Sequence, residues 1–158
     1  MVNKNRFIIS GGGTGGHIYP ALSIANKIKQ SFTNSEIMFV GAKGRMEMNI
    51  IPKHGYNIEG LWISGLQRSF SFKNLLLPFK LIISFIHSLF IIIKFNPKFV
   101  IGTGGFASFP IVFISSILRI PTLIQEQNSF PGISNRLLSS YANYICWLLY
   151  TSDAADDA

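Results

Sequence analysis

The stretch that decides the fold is residues 6–17, RFIISGGGTGGH, in which a short apolar run stops at a series of glycines. Residues 6–10 have the length and composition of a buried strand. Beyond the glycines, Pro20 suits the first turn of a helix. Apolar residues then recur on one helical face, at Ala21, Ile24, Ala25 and Ile28. A strand, a glycine loop and a helix in this order predict one unit of a parallel sheet.

The same alternation of strands and helices continues along the chain. Further strands are predicted at residues 37–40, 56–63, 99–101 and 122–125. Helices are predicted at residues 46–51, 75–95, 111–118 and 133–141. This order predicts a Rossmann-like, doubly wound parallel sheet of the α/β class. Ligands of such sheets bind at the carboxyl ends of the strands.

Two glycine loops are predicted to share that edge of the sheet. The string Gly-Thr-Gly-Gly occurs in residues 11–17 and again as Gly102, Thr103, Gly104 and Gly105. Glycine lets the backbone approach a ligand closely, and the N–H groups at a following helix start attract phosphate. Because one such loop can be a plain tight turn, it is the pair that indicates a phosphate-binding edge.

Two familiar phosphate sites fit these loops poorly. A P-loop needs Gly-Lys-Ser/Thr, and neither loop contains that lysine. Gly11, Gly13 and Gly16 match G-x-G-x-x-G, but a dinucleotide site also needs an acid near the end of the second strand, and Glu36 lies at its other end. A basic nucleotide- or NADP-binding module without transferase activity remains the alternative, since Lys43 and Arg45 could meet a 2′-phosphate.

The charge of the chain favours an anionic partner. The 158 residues carry 14 bases and 7 acids, and residues 1–147 carry 14 bases and 4 acids, or +10. Aromatic residues are not interleaved with the bases, which argues against nucleic acid. Residues 1–147 contain no aspartate, so they cannot supply an Asp-x-Asp metal clamp. The lone Cys146 excludes an internal disulfide and is predicted to be a buried apolar filler. No signal peptide is recognisable at the start.

Five motifs occur in one order and resemble a known family. They are GGGTGGHIYPALSIA at residues 11–25, RMEMNIIPKHGY at 45–56, SGL at 64–66, GTGGFASFP at 102–110 and QEQNSFPGISNR at 125–136. Together they resemble the amino-terminal domain of the MurG family of membrane-associated N-acetylglucosaminyltransferases. The resemblance implies a GT-B enzyme with two Rossmann-like domains, of which residues 1–147 would form the acceptor-binding one. The carboxy-terminal donor domain would then be absent, residues 148–158 would be a non-native tail, and the chain alone would be inactive.

The activity implied by the resemblance is an inverting transfer of GlcNAc. The donor would be UDP-GlcNAc, and the acceptor would be the MurNAc 4-hydroxyl of lipid I, which becomes lipid II in peptidoglycan synthesis. No cofactor or metal would be required, although the resemblance does not exclude a loosely bound divalent cation. The enzyme would work peripherally on the cytoplasmic face of the bacterial inner membrane.

The resemblance also assigns roles to residues. His17 would be the general base, and Glu126 is the alternative base. If His17 is not catalytic, it would be a helix-capping residue that contacts phosphate. If Glu126 is not catalytic, it would be a structural carboxylate that binds loop amides. UDP-GlcNAc would contact Thr14, Gly15, Gly16 and Asn128. The acceptor diphosphate would contact Gly13, Gly102, Thr103, Gly104 and Gly105.

Residues 75–95, LLLPFKLIISFIHSLFIIIKF, are predicted to be a membrane-docking helix. The longest stretch without Lys or Arg is 13 residues, whereas a bilayer span needs about 20. A spacing of seven puts Lys73, Lys80, His87 and Lys94 on one line of the helix. The residues predicted to contact an anionic membrane are Leu75, Leu76, Phe79, Lys80 and Phe85. Cover by a second domain or a dimer partner is the alternative.

Overall fold

The structure, a computed structural model, describes residues 4–65 and 76–147. Six strands form one sheet: β1 (Asn5–Gly11), β2 (Ser35–Ala42), β3 (Asn57–Leu61), β4 (Phe99–Gly104), β5 (Thr122–Glu126) and β6 (Tyr144–Trp147). Five helices connect them: α1 (Gly15–Ser31), α2 (Glu47–Lys53), α3 (Leu77–Phe95), α4 (Ser108–Ile117) and α5 (Ile133–Leu138). All neighbouring strands pair in parallel. The predicted Rossmann-like α/β fold is confirmed.

The strand order places the two glycine loops side by side. The sheet runs β3-β2-β1-β4-β5-β6, so the chain moves outward from β1 to β3 and then returns to the other side of β1. The reversal lies between β1 and β4, where doubly wound sheets bind their ligands. Gly11 at the end of β1 is in register with Gly104 at the end of β4.

The sheet is covered on both faces because successive strand residues point to opposite sides. Ile8 packs with residues of α3, α4 and α5, whereas Ile9 packs with residues of α1 and α2. In β4, Val100 packs on the same side as Ile8, and Ile101 packs on the same side as Ile9. The central strands are therefore apolar along their length, as expected for a buried parallel sheet.

Helix α3 packs one face against α4 and the sheet and exposes the other. Its buried residues are Ser84, Ser88, Ile91 and Ile92. The opposite face is apolar and exposed, with Leu76, Phe79, Ile82, Ile83, Ile86, Phe90 and Ile93 each between 44% and 66% exposed. Among the described residues, α3 is the one helix that meets the length and hydropathy expected of a membrane span, with a mean hydropathy of 1.8.

The prediction that Phe85 belongs to the exposed face of α3 is wrong. Its ring is half-buried, with ring centroids 5.9 Å from Phe109 and 5.4 Å from Phe113 of α4. The sequence shows an apolar helix all round, so it does not show which side meets α4. Leu75 and Lys73 lie outside the described residues.

Three other details differ from the sequence-based expectation. Helix α1 begins at Gly15, so Pro20 lies inside it rather than in its first turn. Strand β6 was not predicted, because its four residues are all exposed and follow no alternating pattern. Cys146 lies on this outer strand and is exposed, so the prediction of a buried filler is wrong.

Candidate functional site

The two glycine loops touch each other at the sheet edge. The N–H of Gly12 donates a hydrogen bond to the carbonyl oxygen of Gly104, at 3.3 Å. Gly105 has a φ of +89°, and a side chain there would collide with the backbone of Gly12. Only glycine meets both requirements, since L-residues rarely adopt this φ and any Cβ would force the loops apart. The loops therefore form one surface.

A cavity of about 310 Å³ opens at this surface. Of the residues predicted from the sequence, those that line it are Gly13, Thr14, His17, Gly104, Gly105 and Glu126. Those that do not line it are Gly15, Gly16, Asn128, Gly102 and Thr103. The structure thus gathers both loops and both candidate bases around one space.

Direct contact of Gly102 and Thr103 with an acceptor diphosphate does not fit their burial. Gly102 is buried within β4, where an added Cβ would lie 3.0 Å from Val112. Thr103 is fully buried, and its hydroxyl donates to the carbonyl oxygen of His17 at 2.8 Å. Both residues are therefore part of the buried structure next to the cavity lining and do not belong to the lining itself.

Backbone N–H groups and one arginine make the cavity suitable for an anion. Helix α1 begins after Thr14, whose side chain makes no cap hydrogen bond, and its first turn contains no acid. The first turn of α4 also lacks acids. Because a helix start concentrates partial positive charge, two of them at one cavity favour a phosphate group. Arg45 also lines the cavity.

Glu47 shapes the first glycine loop, a role that sequence reasoning missed. Its side chain is fully buried. Oε1 accepts from the N–H of Ala42 at 2.9 Å, and Oε2 accepts from the N–H of Gly13 at 3.0 Å. An acid therefore does lie at the end of β2, but it cannot hold a ribose because its oxygens are buried and bonded. The scarcity of acids in residues 1–147 was the available signal.

His17 is held at the junction of three segments. Its Nδ1 lies 2.8 Å from the carbonyl oxygen of Thr103 and 2.9 Å from the side-chain amide of Gln127. An added Cβ at Gly104 would lie 2.6 Å from the same Nδ1. The absence of a side chain at Gly104 thus lets the imidazole lie against the second loop. Gln127 was not given a role by the sequence, since 110 residues separate it from His17.

Glu126 is buried and its carboxylate is fully engaged. Oε1 accepts from the N–H and the side-chain amide of Asn128, at 3.0 and 2.8 Å. Oε2 accepts from the N–H of Gly132 and the side-chain amide of Asn135, both at 3.0 Å. Desolvation raises the pKa of Glu126, but these four hydrogen bonds outweigh it and hold the pKa below its ordinary value of 4.5. Such a carboxylate organises its loop and is a poor proton acceptor.

Comparison with known proteins identifies relatives of this chain. A family model described as glycosyltransferase family 28 N-terminal domain matches residues 7–146. A UDP-N-acetylglucosamine--N-acetylmuramyl-(pentapeptide) pyrophosphoryl-undecaprenol N-acetylglucosamine transferase of Christiangramia forsetii is 60% identical over 141 residues, which are 89% of this chain and 38% of that protein. The protein of the same name from Flavobacterium psychrophilum is 57% identical over 145 residues, or 92% of this chain and 40% of that protein.

Solved structures agree with this result. The crystal structure of Acinetobacter baumannii MurG matches with a TM-score of 0.80 and 26% identity, over 93% of this chain and 42% of that one. A UDP-GlcNAc 2-epimerase from Neisseria meningitidis, bound to UDP-GlcNAc, matches with a TM-score of 0.61 and 14% identity, over 89% of this chain and 39% of that one. The second likeness concerns the fold alone.

The chain spans about two fifths of the length of the curated relatives it matches. The family match covers both glycine loops, the buried Glu47 and the Glu126 loop. Membership of this family favours a transferase domain over a nucleotide-binding module of another class. The chain belongs to glycosyltransferase family 28, and its residues 7–146 match the family's N-terminal domain.

Proposed function

We propose that this chain is the acceptor-binding part of a transferase that moves GlcNAc from UDP-GlcNAc to the MurNAc 4-hydroxyl of lipid I, with inversion. The observation that carries the proposal is the contact between the two glycine loops at one cavity. Both relatives named above are called N-acetylglucosamine transferases, and their names give a pyrophosphoryl-undecaprenol as the acceptor. A cavity for a diphosphate is what such an acceptor requires.

The acceptor diphosphate would lie between the starts of α1 and α4. Gly13, Gly104 and Gly105 leave the backbone there free of side chains, and all three line the cavity. Backbone N–H groups and Arg45 would offset the charge of the diphosphate. UDP-GlcNAc would approach from the side of Thr14. Gly15, Gly16 and Asn128 do not line the cavity, so their contacts with the donor would be made outside it.

His17 would act as the general base. As the 4-hydroxyl oxygen attacks C1 of GlcNAc, its proton passes to the imidazole. The bond between C1 and the β-phosphate oxygen breaks, and its electron pair leaves with UDP. Attack from the face opposite the leaving group inverts the anomeric carbon. His17 is preferred to Glu126 because it lines the cavity without the four hydrogen bonds that occupy the Glu126 carboxylate.

An anionic bilayer would cover the exposed apolar face of α3. Lys80, His87 and Lys94 follow one edge of that face at a spacing of seven, so lipid phosphates would meet them as the apolar side chains reach the headgroup boundary. The Lys80 ammonium lies 5.5 Å from the ring centroid of Trp62, which is itself 45% exposed. This would place the enzyme peripherally on the cytoplasmic membrane face.

The position of α3 fits delivery of a lipid-linked acceptor. A second cavity, of about 250 Å³, is lined by Leu77 and Leu81 of α3. It shares Ile63 and Phe106 with the cavity at the glycine loops. The membrane-facing helix is therefore adjacent to the proposed diphosphate site, so the acceptor would not need to leave the bilayer.

A chimera tests this function. Residues 1–147 are joined to the carboxy-terminal remainder of the Christiangramia forsetii relative, and the product is called the chimera below. It is given radiolabelled UDP-GlcNAc and either a short-chain lipid I analogue or the matched 4-deoxy analogue. We expect labelled disaccharide product from the first acceptor and none from the second. A folded chimera that binds UDP-GlcNAc but transfers nothing to the 4-hydroxyl acceptor would refute the proposal.

A further inference from the structure

The surroundings of His17 determine which ring nitrogen carries the proton. Nδ1 lies 2.8 Å from the carbonyl oxygen of Thr103. A carbonyl oxygen accepts hydrogen bonds and never donates them, so Nδ1 must carry the hydrogen. A neutral imidazole has one N–H, which leaves Nε2 unprotonated. Because His17 lines the cavity, Nε2 is the ring atom available to a substrate proton.

The side chain of Gln127 can meet Nδ1 in either of two orientations. A half turn of an amide exchanges its oxygen and nitrogen at almost no steric cost. With the nitrogen towards His17, two N–H donors face each other, and Oε1 is buried without a partner among the described residues. With the oxygen towards His17, Nδ1–H is shared between two acceptors. The hydrogen-bond chemistry at Nδ1 therefore favours the second orientation.

We propose that Gln127 is a positioning residue that presents its amide oxygen to His17 and, with the Thr103 carbonyl, holds the imidazole in the Nδ1–H tautomer. The inference deepens the proposed function, on which its catalytic consequence rests. Nε2 is thereby kept free to accept the proton of the sugar hydroxyl. Thr103 adds to this arrangement because its hydroxyl fixes the backbone of His17.

The charged side chains that line the same cavity do not change the tautomer assigned to His17. The carboxylate of Glu47 is bonded to two backbone N–H groups, and that of Glu126 is bonded to four donors. Arg45 is the other charged side chain of the described cavity lining. None of the three makes a hydrogen bond to the imidazole among the described contacts, so the tautomer is set by Thr103 and Gln127.

Nitrogen NMR of the 158-residue chain reads the tautomer directly. Long-range proton–nitrogen spectra distinguish protonated from unprotonated ring nitrogens, and His17→Gln identifies the His17 signals by their loss. We expect an Nδ1–H form in the unaltered chain. Gln127→Glu, which can only accept, should keep that form and raise the pH midpoint of His17 by about one unit. Gln30→Glu adds the same charge on an exposed part of α1 and should change neither property.

Two results would overturn the inference. One is an Nε2–H form in the unaltered chain; the other is a shift of the proton to Nε2 in Gln127→Glu, which would show that the amide donates. Gln127→Met should raise the Nε2–H fraction. If the Gln127→Met variant does not fold, the tautomer measured in Gln127→Glu is sufficient to test the inference.

Activity of the chimera separates this inference from the proposed function. We expect Gln127→Met to lower kcat about tenfold with the acceptor KM unchanged, and Gln127→Glu to move the acid limb of the kcat profile to higher pH. If His17 has the Nδ1–H form but the chimera is inactive, the result would count against the proposed GlcNAc transfer and not against the role of Gln127. If His17 has the Nε2–H form and the chimera is active, the result would count against the role of Gln127 and not against the proposed transfer.

Discussion

The carboxylate of Glu47 accepts a hydrogen bond from the backbone N–H of Gly13 at 3.0 Å, although 34 residues separate the two in sequence. The same carboxylate binds the N–H of Ala42 at the end of β2. One buried side chain thereby ties the loop after β1 to the end of the neighbouring strand. The conformation of the first glycine loop thus depends on a residue outside the glycine motif.

Replacing Glu47 should loosen that loop. Glu47→Gln leaves one of two buried N–H groups facing an amide nitrogen, which costs about 1–3 kcal/mol of unfolding free energy. Because Gly13 lines the cavity, we also expect the acceptor KM of the chimera to rise about three- to tenfold. Urea unfolding and steady-state kinetics measure the two effects. Glu59→Gln, on the exposed side of β3, is the matched control. An unchanged acceptor KM would show that the loop does not need Glu47.

The pH dependence of stability should reveal the bonded carboxylate of Glu126. Its pKa is lower in the folded chain than its ordinary 4.5, so the folded state binds this proton more weakly than the unfolded state does. The resulting stabilisation is complete above that ordinary value and is lost as pH falls through the folded pKa. Glu126→Gln should be less stable than the unaltered chain at about pH 6, by about 1–3 kcal/mol, and the gap should narrow towards about pH 3. A gap that is constant with pH would contradict the assignment.

Membrane binding should depend on the exposed face of α3. Phe79 and Phe90 are 64% and 65% exposed, so Phe79→Asp with Phe90→Asp should leave the fold intact. We expect vesicles containing anionic lipid to bind the double variant at least about tenfold more weakly. Ile117→Asp with Phe130→Asp adds the same charge at positions 58% and 89% exposed outside α3, and should bind as the unaltered chain does. Equal loss in both pairs would mean that charge alone, and not this face, controls binding.

Local patterns predicted the fold and six of the 17 residues that line the cavity. Apolar runs that end in glycine gave β1 and β4, and their positions brought Gly13 and Gly104 to one edge of the sheet. Contacts between distant segments were not predictable in this way. The bonds of Glu47 to Gly13 and of Gln127 to His17 join residues that no spacing rule relates.

The same limitation explains the error at α3. The sequence predicted an exposed apolar face on this helix, and the structure has one. Phe85 was assigned to that face, but it packs on Phe109 and Phe113. The side of an apolar helix that meets its neighbour depends on the packing of α4, which the periodicity of α3 does not contain.

In the proposed function, the cavity between the glycine loops presents the acceptor hydroxyl to His17. The most direct test is the single-turnover rate of GlcNAc transfer by the chimera carrying His17→Ala, with lipid I analogue and UDP-GlcNAc both saturating. We expect a rate at least about a hundredfold below that of the unaltered chimera, with an unchanged unfolding midpoint. His54→Ala, at an exposed position after α2, should keep the full rate. A near-normal rate in folded His17→Ala would contradict the claim.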